Sequence, residues 1–252
     1  MDKREKRTAA KKVTRLVGLI AQLGAICVAG LLCTPAVLLA QSAVAGGRPA
    51  GGALPATIPI FPLQDATLFP NASHPFHIFE PRYRAMIADA LKGDRIIGMV
   101  MLQPGHDAEY EGRPPIFPVG CAGVITDYEE LPGGEFNIVL GGLVKFRVTG
   151  EDDSRLYRLA RVTALPETLD AKETIALGKE RQRMEGLLFA FFDRLGLGQP
   201  PAGVPDEQLI DELSQYLPMD RLERQRLLER DDALSRAGVI AELLDTLVNS
   251  PR

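Results

Sequence analysis

The sequence predicts an α+β protein in which a partly closed β-barrel with one early helix precedes a bundle of α-helices. Between residues 57 and 166, short apolar or alternating runs are separated by glycine- and proline-rich turns, as expected for strands. From residue 167 to 250, apolar residues instead recur every three or four positions, which is typical of amphipathic helices. With 252 residues, of which 46% are hydrophobic and 25% charged, the chain has the length and balance of a globular protein.

The first 45 residues have the pattern of a targeting segment. A basic stretch ends at Arg15, an apolar run follows from 16 to 40, and Ala43-Val44-Ala45 then matches the small-x-small pattern of a signal-peptide cleavage site. Three interpretations stay open: a signal peptide cleaved before Gly46, an uncleaved anchor in the inner membrane through residues 16–40, or a misassigned start. Under the first two, the body of the protein is periplasmic or secreted, and it meets the membrane only through this segment.

The charge distribution argues against nucleic-acid binding. Seven of the 29 basic side chains, but only two of the 33 acidic ones, lie in the first 45 residues, so the remainder carries a formal charge of −9. An acidic body repels phosphate backbones. We therefore expect no nucleic-acid partner.

The elements follow in order after a flexible linker at 46–56, which consists of glycine, proline, alanine, leucine and one arginine. Pro132-Gly133-Gly134 is predicted to be a hairpin tip, and Gly141-Gly142 and 150–154 are predicted to be further turns. The predicted strands are 57–61, 75–79, 95–102, 116–127, 135–140, 143–148 and 157–162.

One helix interrupts the strands. Pro81 suits a first helical turn, and Gly93 suits a helix end. The apolar residues in between fall on one face of a helix and are predicted to be buried. They are Tyr83, Met86, Ile87 and Ala90.

Four helices are predicted in the second part. The first carries an apolar stripe from Met184 to Leu195 and begins at a capping pair formed by Asp170 and Glu173. The other three, at 206–217, 220–229 and 232–248, each begin with an aspartate able to cap free amides. The last is expected to bury one apolar face, formed by Ile240, Leu243, Leu244, Leu247 and Val248.

Several segments, in order, closely resemble the substrate-binding domain of the Lon protease family. They read IPIFPL at 58–63, HIFEPRY at 77–83, GDRIIGMV at 93–100, PVGCAGVI at 118–125, FNIVLGGLVKFRV at 136–148, YLPMD at 216–220 and RLLE at 226–229. The resemblance covers 57–250 and implies a PUA-like pseudo-barrel followed by a helical subdomain. In the protease this region recognises unfolded or tagged polypeptide and passes it to an ATP-driven motor.

The motor and peptidase motifs are absent from the sequence. We find no glycine-rich loop with Gly-Lys-Ser/Thr, no serine in a Ser-Lys peptidase context and no Gly-x-Ser-x-Gly. We therefore expect a non-enzymatic, stand-alone module with no catalytic residue and no cofactor. Its expected partners are unfolded or partly folded polypeptides in the bacterial envelope, and an envelope protease. Its expected role is that of an adaptor or holdase.

Several residues are of types that can carry chemistry, but a structural interpretation is favoured for each of them. His77 should face opposite to Phe76 and Ile78 as a hydrogen-bonded surface residue, and Glu80 with Arg82 should form a helix cap and a local ion pair. Asp127, Glu129 and Glu130 are interpreted as a solvated loop. Cys121 is interpreted as a small buried hydrophobe. No set of His, Cys, Asp and Glu has metal-ligand spacing, so no metal is expected.

Polypeptide binding by such a module needs an accessible strand edge for the backbone of the client and apolar surface for its side chains. The sequence assigns no binding residue. Phe61, Phe69, Phe79 and Tyr83 are predicted to be core, whereas Phe189 lies off the helical stripe and suits a partner contact. Two alternatives stay open: a small-molecule-sensing or regulatory interaction domain, and an enzyme with an unfamiliar polar pocket.

Overall fold

The computed structural model describes residues 54–106, 112–195, 199 and 203–249. The predicted targeting segment at 1–45 and most of the predicted linker at 46–56 lie outside these ranges. Among the described residues, no helix is both long enough and apolar enough to cross a membrane.

Within the described ranges, six strands form one mixed sheet in the order β2-β5-β4-β3-β1-β6, and β6 also pairs with β5. This last pairing closes β5, β4, β3, β1 and β6 into a barrel. Only β1 and β3 run parallel, and the chain between them passes through β2 and the first helix. The predicted α+β architecture is confirmed. The strands are β1 Thr57–Leu63, β2 Ser73–Ile78, β3 Ile96–Met101, β4 Val119–Glu130, β5 Phe136–Asp152 and β6 Arg158–Leu165.

The predicted turn at Gly141-Gly142 is wrong, because β5 runs straight through it as one strand of 17 residues. Gly142 instead allows a close approach of another backbone segment. The N–H of Gly142 donates to the Ala72 carbonyl at 2.8 Å, and a Cβ at this position would overlap the Phe69 carbonyl oxygen. The predicted hairpin tip is confirmed by a bond of 2.8 Å from Leu131 N–H to the Glu135 carbonyl.

Helix α1, Pro81–Lys92, begins and ends where the sequence predicts. The Gly93 N–H closes it by donating to the Ala90 carbonyl at 3.0 Å. The predicted apolar face is buried, and the Tyr83 ring packs edge-on against Phe61 with the centroids 4.6 Å apart. These contacts anchor the helix to the core beside β1.

Four further helices follow: α2 Ala171–Leu195, α3 Asp206–Tyr216, α4 Arg221–Leu228 and α5 Ala233–Asn249. The predicted capping pair is confirmed, since Asp170 and Glu173 exchange hydrogen bonds of 2.7 and 2.8 Å. Asp220 caps α4 as predicted. Asp206 does not cap α3: it is the first helical residue, and its carboxylate accepts from Arg181 at 3.1 Å.

Asp232 holds the start of α5 through bonds with Ser235, as predicted. On α5, Ile240 and Leu244 are fully buried, while the other three predicted apolar positions are partly buried. A smaller cluster of buried residues, centred on Phe146, is contributed by all five barrel strands. A larger cluster joins α1 and the barrel to the later helices. The strand-rich and helical parts therefore share a continuous core.

Candidate polypeptide-binding surface

Three strands extend beyond the barrel as a small sheet, which we call the outer sheet (residues 73–78, 126–130 and 136–141). The pairing of β4 with β3 ends at Val124 and Ile96, but β4 continues to pair with β5 as far as Glu130. On the other side of β5, β2 pairs from Ser73 to Ile78. The outer sheet is thus held by β5 in its centre and has β2 and β4 at its edges.

One face of the outer sheet packs on the core, and the other faces solvent. Phe136, Ile138 and Ile78 are buried on the inner face. On the outer face, His77 lies 3.0 Å from the Asn137 side-chain oxygen, as predicted for a residue facing away from its neighbours. The Asn137 amide donates to Glu129 at 3.0 Å, so polar side chains cross all three strands.

Two aromatic side chains of this region are exposed. Phe79 is 59% exposed and stacks on the His77 ring, so its prediction as a core residue is wrong. The reason is local: β2 ends at Ile78, and Phe79 lies where the chain leaves the strand for α1. Tyr128 on β4 is 44% exposed, with the Arg95 guanidinium 5.7 Å from the centre of its ring. Phe61, Phe69 and Tyr83 are buried as predicted.

The acidic residues of β4 are exposed as predicted, but they do not form a loop. Asp127, Glu129 and Glu130 all belong to the strand. The alternation of strand residues places Asp127 and Glu129 on the outer face and Tyr128 and Glu130 on the inner one. The predicted strand ends at residue 127, and its continuation to Glu130 was missed because strings of acidic residues are uncommon in strands.

Glu80 and Arg82 form the local ion pair that the sequence predicts. The Arg82 guanidinium approaches Glu80 Oε2 at 2.9 Å and stacks on the Tyr83 ring. The expected cap is not made, since Glu80 occupies the N-cap position of α1 without a side-chain capping bond. On α2, Phe191 and Phe192 are buried and Phe189 is 49% exposed, as the stripe predicts.

A buried polar junction joins the outer sheet to α3, and the sequence pattern does not predict it. Glu212 accepts a hydrogen bond of 3.3 Å from the Ser73 N–H, and the Tyr216 hydroxyl donates to the Ser73 carbonyl. Burial raises the pKa of Glu212 to about 7, and its second carboxylate oxygen has no hydrogen-bond partner. In sequence, these α3 residues resemble an ordinary solvated helix face.

Asp211 lies beside this junction and forms a buried network with four other side chains. It accepts hydrogen bonds from Arg236 at 2.6 Å and from Asn71 at 3.0 Å. Arg236 also donates hydrogen bonds to both carboxylate oxygens of Glu167, which in turn pairs with buried Lys145 at 2.8 Å. Burial raises the pKa of Asp211, and the Arg236 charge opposes that rise. This network links the barrel to α3 and α5.

The barrel mouth contains a cavity of about 250 Å³, which Arg82, Arg113 and Arg158 line. Arg158 is engaged by a bidentate pair with Glu151 at 2.6 and 2.7 Å, and Arg82 is paired with Glu80. The cavity falls below the range of about 300–1,000 Å³ that drug-sized ligands occupy. Asp211 and Glu212, whose pKa values are raised, lie inside the packed junction and do not line it.

Two further features bear on chemistry. Cys121 is fully buried, and burial raises the pKa of its thiol, so the side chain behaves as the expected small hydrophobe. Within the described ranges, no group of three or more His, Cys, Asp or Glu side chains is arranged to hold a metal ion. The exposed features of the outer sheet form a candidate site that suits binding.

Comparison with known proteins identifies the family that the sequence resembles. The family model of the ATP-dependent protease La (LON) substrate-binding domain matches residues 57–246. Lon protease of Cytophaga hutchinsonii is 25% identical over 197 residues, covering 76% of this chain and 24% of that protein. Lon protease 2 of Sorangium cellulosum is 26% identical over 201 residues, covering 75% and 24%. The chain spans about a quarter of the length of these relatives.

Solved structures share the fold. The N-terminal domain of the Mycobacterium avium complex Lon protease aligns with a TM-score of 0.55 at 16% identity, covering 75% of this chain and 98% of that one. The Lon N-terminal domain protein from Xanthomonas campestris aligns with a TM-score of 0.50 at 21% identity, covering 74% and 97%. Because the family model matches most of the chain, this protein belongs to the Lon substrate-binding domain family.

Proposed function

We propose that this chain is a polypeptide-binding module that acts in the bacterial envelope as an adaptor or holdase, without catalysis of its own. Its membership in the Lon substrate-binding domain family is the observation that carries the proposal. The outer sheet adds a physical means, because it offers exposed aromatic side chains next to a strand edge. Unfolded polypeptides present the complementary groups, namely apolar side chains and unpaired backbone amides.

The envelope location is supported by the sequence of the first 45 residues. A basic start followed by an apolar run and Ala43-Val44-Ala45 is the pattern of an exported protein. Fractionation of cells expressing the full chain, with mass determination of the product, tests it. A periplasmic or membrane-bound protein is expected, with Gly46 as the first residue if the segment is cleaved. Recovery of the intact chain among cytoplasmic proteins would contradict the location.

The binding function is tested by aggregation of a denatured client. Reduced α-lactalbumin is kept near neutral pH with increasing amounts of the full chain, and light scattering is followed. We expect slower aggregation, and we expect native α-lactalbumin to remain unbound because its apolar groups are buried. Equal aggregation rates at all concentrations would contradict the proposal. The absence of new client fragments by mass spectrometry, with ATP present, is the result expected of a non-catalytic module.

A further inference from the structure

We propose that the outer edge of β4, from Thr126 to Glu130, binds extended basic segments of polypeptide as an added β-strand. This inference rests on the proposed function and assigns to it a place and a client chemistry. Three observations carry it: the edge is unpaired among the described residues, the competing edge on β2 is blocked, and acidic side chains flank the β4 edge.

The β4 edge is open because β3 leaves the sheet. The last contact between the two strands is the bond of 2.9 Å from the Ile125 N–H to the carbonyl of Arg95. At Arg95 the backbone adopts a left-handed conformation with φ of 62°, and the chain behind it leads back to α1. From Thr126 to Glu130, β4 pairs with β5 alone, and all five residues are exposed.

The pairing pattern shows which backbone groups point outward. Leu131 directs its N–H to Glu135 on β5. Backbone groups alternate sides along an antiparallel strand. Residue 129 therefore faces β5 with 131, whereas Tyr128 and Glu130 direct their N–H and C=O groups to the open edge. An incoming strand would find donors and acceptors at the spacing of a normal ladder from Tyr128 to Glu130, and a register irregularity between Ile125 and Asp127 separates this stretch from the part of β4 that pairs with β3.

The other edge of the outer sheet does not offer this template. On β2, the N–H and C=O of Ser73 are occupied by Glu212 and Tyr216. The next residue that faces the same way is Pro75, which has no N–H to donate. Side chains of α3 and a proline thus block β2 at these two positions, and β4 is the edge better able to accept a strand.

The side chains along β4 define the chemistry of the partner. Asp127 and Glu129 flank the edge on its outer face, and Glu130 lies on the inner one. The basic side chain of Arg95 lies over the Tyr128 ring, beside these acidic residues. Opposite charges on neighbouring strands attract, so lysine or arginine at alternate positions of the client is favoured. The Tyr128 ring can receive an apolar or aromatic residue between them.

The first experiment compares peptide charge. Fluorescent nine-residue peptides alternating lysine with valine, or glutamate with valine, are titrated with the full chain, and anisotropy reports binding. We expect the lysine peptide to bind about tenfold more tightly or better, with affinity falling as salt is raised. The neutral variant Asp127→Asn/Glu129→Gln should lose this preference. The matched control Glu242→Gln/Asp245→Asn, on exposed positions of α5, should keep it.

The second experiment tests the edge itself. Tyr128→Pro removes an outward N–H, whereas Tyr128→Ala removes the ring but keeps the N–H. We expect the proline variant to bind the lysine peptide at least about tenfold more weakly than the alanine variant, with circular dichroism reporting the fold. Hydrogen exchange on the unmodified chain gives an independent readout: the peptide should slow exchange at the Tyr128 and Glu130 amides.

The outcomes separate this inference from the proposed function. If the unmodified chain suppresses client aggregation but its Tyr128 and Glu130 amides exchange unchanged with peptide, the edge is not the site and the function stands. The inference is also wrong if Asp127→Asn/Glu129→Gln binds the lysine peptide more tightly than the unmodified chain, because the acidic residues would then oppose strand addition and protect the edge from aggregation. If the chain binds neither client nor peptide, the proposed function and the inference both fail.

Discussion

The Arg236 guanidinium donates a hydrogen bond of 2.6 Å to the Asp211 carboxylate, and neither side chain is exposed to solvent. A buried charge is tolerated only when it is paired, because the interior solvates ions poorly. Here α5 supplies the cation, α3 supplies one anion, and Glu167, which precedes α2, supplies the other. The ion pair therefore makes the arrangement of three helices depend on one side chain.

Arg236→Met should destabilise the protein by about 3–5 kcal/mol, because it leaves Asp211 as a buried charge without its partner. Urea unfolding at neutral pH, followed by circular dichroism, measures the loss. Arg183→Met is the matched control: Arg183 is exposed and pairs with Glu180 at 3.6 Å, so its loss should cost less than about 1 kcal/mol. Equal losses of stability from the two substitutions would show that burial of the Arg236–Asp211 pair does not contribute to stability.

Stability should fall as pH rises through neutrality, because of Glu212. Burial raises its pKa from 4.5 to about 7 in the folded state, so the folded protein binds a proton that the unfolded chain has already released. The stabilisation of the folded state by this bound proton is complete below about pH 4.5 and is lost as pH rises through about 7. Glu212→Gln cannot ionise. It should match the unmodified chain near pH 4 and exceed it by up to about 3 kcal/mol near pH 8.

Urea unfolding at several pH values measures this difference, with Glu185→Gln as an exposed control on α2. The control should follow the unmodified chain at every pH. Parallel pH curves for Glu212→Gln and the unmodified chain would contradict a buried, proton-binding Glu212.

Gly142→Ala should destabilise the protein by more than about 2 kcal/mol, because the added methyl group would overlap the Phe69 carbonyl oxygen, which is backbone and cannot turn aside. Gly186→Ala is the opposite case. This glycine lies inside α2, and beyond the adjacent helix backbone no atom lies within 4 Å of the position that a Cβ would take, so the substitution should stabilise by up to about 1 kcal/mol. Thermal unfolding of the two variants should therefore move in opposite directions, and a stable Gly142→Ala protein would show that the two segments are further apart.

Cys121 should react with a thiol reagent only after unfolding. It is fully buried, and burial raises the pKa of its thiol, so the reactive thiolate is suppressed in the folded protein. Cys27 and Cys33, which lie outside the described residues, are replaced by serine so that one thiol is read. Dithionitrobenzoate should then give a signal in denaturant and almost none in buffer. Rapid labelling of the folded chain would mean that the barrel opens at Cys121.

Features set by local pattern were predictable from the sequence. Helix α1 carries its start, its buried face and its end within 13 residues, and all three are confirmed. The cap of α4 at Asp220 is equally local. The prediction for Asp206 failed because the carboxylate found a distant partner, Arg181, that no short pattern reveals.

Features that depend on tertiary contact could not be read from the sequence. Gly141-Gly142 has the composition of a turn, and only the backbone packed against it explains its place in a strand. Glu212 and Asp211 resemble solvated helix residues, because their burial comes from packing against the outer sheet. An accessible strand edge was expected from the sequence, but its position on β4 was not. That position follows from where β3 departs at Arg95.

The closure of the barrel by β1 and β6 has a consequence for how the chain matures. Thr57 pairs with Arg161, so β1 cannot pair with β6 until most of the polypeptide has been synthesised. A truncated chain that ends before residue 158 lacks β6. The edges of β1 and β5 that pair with β6 are then exposed. Prematurely terminated products should consequently be proteolysed or self-associate instead of accumulating as partial modules.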